Sequence, residues 1–289
     1  MLDNQRELLE RMSADIRIQF LKMFGKLGFG HVGGCASIAD VLAVLYGGMM
    51  RVDPANPAAQ DRDWLVLSKG HAAPALYAAL ALRGFFPMEW LATLNMPGTK
   101  LPSHADARTV PGIDFCTGSL GQGISAAVGI CLANRLKGQS SWVYCILGDG
   151  ELNEGQVFEA CGTAAHYGLD HFICFVDWNK KQLDGTLAQV QNPVDIAGKF
   201  KAFGFDTQMA RGYDVEDIHA CILRAKDAPD APHCIVLDTY KGLGIDFAEE
   251  QEHNHHLVCS AEQCAAAIEE IERRLKEGCY PGGMRYGKA

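Results

Sequence analysis

The run Trp142-Val143-Tyr144-Cys145-Ile146-Leu147-Gly148-Asp149-Gly150-Glu151-Leu152-Asn153-Glu154-Gly155, with Asp177-Trp178-Asn179-Lys180 further on, decides how this chain folds. From Trp142 to Leu147 it is continuously apolar, as a strand covered on both faces of a parallel sheet must be. It stops at a carboxylate between two glycines, which allow close backbone approach, and passes into a helical stretch from Glu154 to Tyr167. A second apolar run, Phe172 to Asp177, then leads to Asn179. Strand, helix and strand of these lengths make a βαβ unit, and open parallel sheets bind ligands beyond the carboxyl ends of their strands. If the two strands are neighbours, Asp149 and Asn179 arrive at one sheet edge. Hard oxygens there suit magnesium, which takes one or two protein carboxylates and fills its shell with water and phosphate oxygens. The helix beginning near Asn153 turns its positive end toward the phosphate side. Taken alone, Gly148-Asp149-Gly150 is also what a plain turn looks like in a chain with 31 glycines.

Working outward, similar apolar runs occur at Trp64 to Ser68 and Cys234 to Thr239. Helical patterns cover Ala72 to Arg83, Leu120 to Lys137, Val215 to Asp227 and Ala261 to Lys276. Leu9, Met12, Ile16, Phe20 and Met23 recur at three and four residues, predicting an amphipathic helix that ends near Gly25 to Gly30. Ser37 with Asp40 resembles a capping box for an apolar helix over Ile38 to Tyr46. The fold class is therefore α/β, a doubly wound, mostly parallel sheet with helices on both faces. No repeat, linker or change of composition divides the chain, so residues 1–289 read as one domain, with a Gly-rich loose tail over the last dozen.

A net charge of −9 and a pI near 5.5 repel a polyphosphate backbone, so nucleic acid is excluded as an expected partner. The 11 cysteines are odd in number and contain no C-x-x-C pair, which argues against a zinc ribbon and a closed disulfide framework. Cys145, Cys174 and Cys234 lie inside apolar runs as small hydrophobes, and Cys116 and Cys131 read as core thiols. A reducing cytoplasm is the expected compartment. Residues 1–20 carry charges throughout, and no stretch approaches about eighteen apolar residues, so neither a signal peptide nor a membrane span is expected.

Six ordered motifs resemble the transketolase family, in particular the separate N-terminal subunits of split bacterial transketolases. They are Gly30-His31-Val32-Gly33-Gly34, Leu67-Ser68-Lys69-Gly70-His71-Ala72, Leu101-Pro102-Ser103-His104, Thr117-Gly118-Ser119-Leu120-Gly121-Gln122-Gly123, and the Gly148-Asp149-Gly150 and Asn179-Lys180 segments. The resemblance implies a thiamine diphosphate-binding fold, specifically its diphosphate-binding domain. By it, Asp149, Asn179 and the carbonyl of Lys181 hold magnesium; His71, Gly148, Gly150 and Asn179 meet the diphosphate; Gly118 and Leu120 line the thiamine rings. His31, His104 and His255 become pocket histidines that bind sugar hydroxyls and assist proton transfer, and Glu154 an acid at a subunit interface. The implied activity is transfer of a two-carbon ketol unit between a ketose phosphate and an aldose phosphate. The pyrimidine-binding and C-terminal domains, which carry the activating glutamate and most sugar-phosphate contacts in the family, are expected on a separate C-terminal subunit, giving a heterotetramer.

Other readings stay open from residues alone. His31 could hydrogen-bond within its turn, His71 could cap the helix that follows, and His104 could be a solvated loop residue. His253, His255 and His256 could bind a transition metal, and Asn254, where the family often has Trp, leaves His256 as the alternative to His255. The alternative functions are a 1-deoxyxylulose-5-phosphate synthase-like enzyme, one subunit of a decarboxylating 2-oxo acid dehydrogenase, and a non-catalytic cofactor-binding module.

Overall fold

The computed structural model describes residues 1–281. Five strands form the central sheet: β1 (Trp64–Leu67), β2 (Val143–Gly148), β3 (Phe172–Trp178), β4 (Asp206–Arg211) and β5 (His233–Asp238). Their order is β1-β2-β3-β5-β4 and every neighbouring pair is parallel. Eight helices matter here: α1 (Asp3–Leu27), α2 (Ala39–Val44), α3 (Ala73–Leu82), α4 (Gln122–Leu136), α5 (Gly155–His166), α6 (Ile196–Ala202), α7 (Val215–Asp227) and α8 (Ala261–Lys276). Alternate strand residues feed two cores. Tyr144, Ile146, Phe175 and Ile235 pack with α1, α2, α3, α7 and α8, whereas Cys145, Leu147, Cys174 and Val236 pack with α4, α5 and α6. Burial of both faces is why these strands read as unbroken apolar runs.

Strand order also explains the layers. Crossovers between parallel strands are right-handed in nearly all proteins, so steps taken in one direction across a sheet place their helices on one face. The chain steps one way from β1 to β4 and reverses to reach β5, and α7, which spans that reversal, packs on the opposite face from α4, α5 and α6.

Several expectations are corrected. β4 was not anticipated: its sequence Asp206-Thr207-Gln208-Met209-Ala210-Arg211 is polar because it is an edge strand with only Ala210 buried. The short helix α6 was likewise not anticipated. Ser37 and Asp40 form no capping box. The Ser37 hydroxyl donates to Asp177 Oδ2 at 2.8 Å, and Asp40 receives the Arg17 guanidinium at 2.6 Å inside the core. Arg17 also donates to the carbonyls of Ala36 and Leu243, clasping α1 to the segment before α2 and to the loop after β5. Val32–Met49 has a mean hydropathy of 1.5 over 18 residues, long and apolar enough by composition to cross a membrane, so the expectation that no stretch approaches that length fails; 83% of it is buried in the fold. Within the dozen residues read as a loose tail, Tyr280 is buried, with its hydroxyl against Ser13 and Arg17. The rest of that tail, from 282 onward, lies outside the described residues.

Every cysteine is unpaired, and all but Cys116 and Cys279 are buried. Cys116 is thus no core thiol; it donates to Asp106 Oδ1 at 3.2 Å and accepts the Ala107 N–H. Cys145, Cys174 and Cys234 sit directly opposite one another on β2, β3 and β5. At the start of α8, Ser260 and Gln263 form a capping box, and Cys259 and Cys264 flank it as a buried staple.

Candidate active site

β2 and β3 are in parallel register, with Gly148 opposite Asp177, so the residues that follow each strand meet at one edge of the sheet. Asp149 is 2% exposed. Its Oδ1 accepts the Gly150 N–H at 2.8 Å and its Oδ2 the Lys180 N–H at 2.7 Å. Lys180 reaches that position by taking a left-handed backbone, φ 73°, a strained choice for a residue with a Cβ and one that clusters at functional sites. Asn179 donates its Nδ2 to Asp177 Oδ2 at 2.8 Å and accepts the Lys181 N–H on Oδ1, which settles the orientation of its amide.

Asp177 is completely buried. Its Oδ2 takes Ser37, Asn179 and the Lys69 ammonium, the last at 2.5 Å, while its Oδ1 has no partner among the described residues. Burial, and then the charge of Asp177, pushes the Asp149 carboxyl up to about 7. The Asp149 carboxylate, the oriented Asn179 amide oxygen and the Lys181 carbonyl form a hard-oxygen donor set that fits magnesium, while Asp177 behind them is already paired with Lys69. Among the described residues no group of three or more His, Cys, Asp or Glu side chains is arranged to hold a metal, so the transition-metal reading of His253, His255 and His256 is not met.

These groups open into a cavity of about 280 Å³, which His31, His71, His104, Gly118, Leu120, Gly148, Gly150 and His255 also line. The histidines come from loops far apart in sequence. His71 lies 4.6 Å from His255 and 5.5 Å from His31 between ring centroids, and His104 lies 6.1 Å from His31. His71 caps no helix, the His31 side chain makes no cap hydrogen bond at the turn it opens, and His104 is exposed, as a loop residue would be, while also standing at the cavity wall. Burial foremost lowers all four pKa values, His31 to about 4 and His255 to about 3, with the neighbouring histidines and lysines adding to the effect at all but His104. These imidazoles are neutral near pH 7, able to donate through one nitrogen and accept through the other.

His255 and His256 part company here. Asn254, 1% exposed, donates its Nδ2 to the carbonyls of Lys241 and Ala248, and this anchor sends His255 into the cavity. His256 is exposed, packing against Phe29 and the outer side of His31. Glu154 is also exposed and does not line the cavity; the carboxylate from that segment that does is Glu151. Glu151 is buried, accepting from Ser68 and from the N–H groups of Gly121 and Gly148, so it ties three of the motifs together.

Lys69, Asp177, Glu151, Gln182 and Lys241 belong to this site or its support without having been singled out from sequence. Lys241 had a usable signal, since it follows the apolar run that becomes β5 and ends at the same sheet edge.

The family model described as "Transketolase, thiamine diphosphate binding domain" matches residues 9–275. The chain is 47% identical over 273 residues to the 6-deoxy-6-sulfo-D-fructose transketolase subunit SqwG of Clostridium sp. (strain MSTE9), spanning 94% of this chain and 99% of that one. It is 35% identical to an apulose-4-phosphate transketolase subunit of Phocaeicola vulgatus, spanning 94% and 97%. The structure of Pichia stipitis transketolase in complex with sedoheptulose-7-phosphate is similar with a TM-score of 0.83 at 28% identity, covering 94% of this chain and 45% of that one. Campylobacter jejuni transketolase gives 0.81 at 26% identity, covering 96% and 48%. The chain thus spans about half the length of these transketolases of solved structure and nearly the full length of the two subunits.

Proposed function

The chain belongs to the transketolase family, and from that premise we propose that it is the thiamine diphosphate-binding subunit of an enzyme that moves a two-carbon ketol unit from a ketose phosphate to an aldose phosphate. One observation carries the proposal: a single cavity is lined both by hard oxygen donors and by four neutral histidines. Asp149, Asn179 and the Lys181 carbonyl would hold magnesium. His71, Gly148, Gly150 and Asn179 would meet the diphosphate, and Gly118 and Leu120 the thiamine rings. When bound, thiamine diphosphate supplies the carbon nucleophile and the electron sink for breaking a carbon–carbon bond.

The chain's own residues do the rest. His31, His104 and His255 orient the hydroxyls of the sugar and pass protons, which neutral imidazoles perform near pH 7. Burying the reacting groups needs a second chain, which also brings the acid that activates the aminopyrimidine and most of the bases that hold the sugar phosphate. Leu120 at 39% exposure and Leu183 at 60% on the cavity's rim support a covering partner. Glu154, exposed beside them, is assigned to that interface. We assign residues 1–289 to a single diphosphate-binding domain, with the pyrimidine-binding and C-terminal domains on the second subunit of a cytoplasmic heterotetramer.

The test is reconstitution with a separately encoded C-terminal transketolase subunit. Ketose donors ending in a phosphate and in a sulfonate are both supplied, since the names of the two relatives carry one each. Ketol transfer is expected from the mixture with thiamine diphosphate and magnesium, and from neither chain alone. Turnover by this chain in isolation, or tight cofactor binding with no transfer to any aldose, would overturn the assignment.

A further inference from the structure

We propose that Lys241 is a positioning residue that fixes the protonation pattern of the His255 ring, holding its Nδ1 as an acceptor so that Nε2–H is the donor left for a ligand. The inference rests on the placement of His255 in the proposed substrate pocket, and it specifies what that histidine can do there.

Lys241 stands where three segments of the site meet. Its N–H donates to the Asn179 carbonyl at 3.3 Å, and its own carbonyl accepts the Asn254 amide at 2.8 Å. Its backbone thus joins the magnesium-side loop to the residue preceding His255. Its side chain is 5% exposed, and its Cγ would lie 2.8 Å from a Cβ placed on Gly33. The stem therefore runs through a slot that exists because residue 33 is glycine, and the ammonium has little freedom to leave.

At the end of that slot Nζ is 3.2 Å from the Lys181 carbonyl oxygen and 3.1 Å from His255 Nδ1. An ammonium has three protons to donate and no lone pair to offer. Both contacts are hydrogen bonds only if the lysine donates in each, so Nδ1 of His255 must carry the lone pair and the ring proton must sit on Nε2. Which nitrogen of an imidazole is protonated is set by the bond the other nitrogen makes, and here that bond comes from a fixed cation.

The consequence separates His255 from its neighbours. With Nδ1 occupied, His255 meets a ligand oxygen through N–H and is a donor toward it, not a base. Among the described residues no lysine bonds His31 or His104 in this way, so those two rings can accept a proton through either nitrogen. The same ammonium reaches the Lys181 carbonyl, one of the oxygens assigned to magnesium. One side chain therefore links an oxygen assigned to magnesium to a histidine of the pocket.

The test reads the ring nitrogens directly. The full chain is labelled with ¹⁵N-histidine, and the two His255 nitrogens are assigned by long-range proton–nitrogen correlation near pH 7, with His255→Gln identifying the signals. A lone pair on Nδ1 and a proton on Nε2 are expected in the unmodified chain; a proton on Nδ1 overturns the proposal whatever any variant does. In Lys241→Met, which keeps the stem and removes the donor, the pattern should shift toward a mixture of the two tautomers, and an unchanged spectrum overturns the proposal. Reconstituted with the partner, Lys241→Met should lower turnover about tenfold and add nothing further in a His255→Ala background, because the two act as one unit; fully additive losses overturn the coupling. Thiamine diphosphate binding is measured by calorimetry on the same unmodified chain. If it is absent, the functional reading fails, and the ring assignment still stands or falls on its own spectrum.

Discussion

Asp149→Ala removes a carboxylate whose two oxygens are already anchored by the Gly150 and Lys180 N–H groups, and with it the only charge the proposed magnesium set contributes directly. Magnesium-dependent thiamine diphosphate binding should fall below detection in calorimetry, and Asn179→Ala should do the same. Unchanged binding in both variants would remove the site. His31→Ala and His255→Ala, assayed with the partner, should each lower turnover by about 10²-fold or more, the usual size of a lost acid or base for His31 and of a lost positioned donor for His255. His256→Ala should leave turnover within a few-fold, because that ring lies outside the cavity. The residues that were legible in the sequence are those whose chemistry follows from type and place at a strand end: Asp149, Asn179 and the histidines of the motifs. Lys69 and Asp177 were not, because their meaning is a buried pairing across 108 positions that no local pattern records.

At the scale of elements, the junctions between strands and helices carry the site. Glu151 is the sharpest case. It accepts from Ser68 at the end of β1, from Gly121 at the start of α4 and from Gly148 at the end of β2. Glu151→Ala should cost about 3 kcal/mol or more in urea unfolding, since each buried donor left without a partner costs about 1–3 kcal/mol. Glu151→Gln, which keeps the shape and one acceptor, should cost less; equal losses would show that packing, not hydrogen bonding, is what Glu151 supplies. Four strands and most helices were legible because burial on both sheet faces leaves long apolar runs and 3.6-residue periodicity. β4 was hidden for the opposite reason, as an edge strand that solvates most of its length has no need of an apolar sequence.

Across the whole molecule, the cluster of neutral histidines makes stability depend on pH. The His31 imidazole ordinarily titrates near 6.5 and burial first, then His256, His104 and Lys241, lowers it to about 4. As pH falls below 6.5 the unfolded chain takes up a proton that the folded chain refuses, so this contribution is complete above 6.5 and is lost between 6.5 and about 4. Urea midpoints measured at about pH 8 and about pH 5 should therefore drop less for His31→Gln than for the unmodified chain; an equal drop would mean that His31 titrates normally. The row of sulfurs across β2, β3 and β5 gives the molecule a tamper seal. Cys145, Cys174 and Cys234 are wholly enclosed, whereas Cys116 and Cys279 face solvent. A thiol-specific dye should consume two sulfurs at once in an intact preparation, and all 11 only after the layers have parted. The ratio of fast to slow colour then dates the sample, telling a chain that has never opened from one that has opened and closed again under the dye.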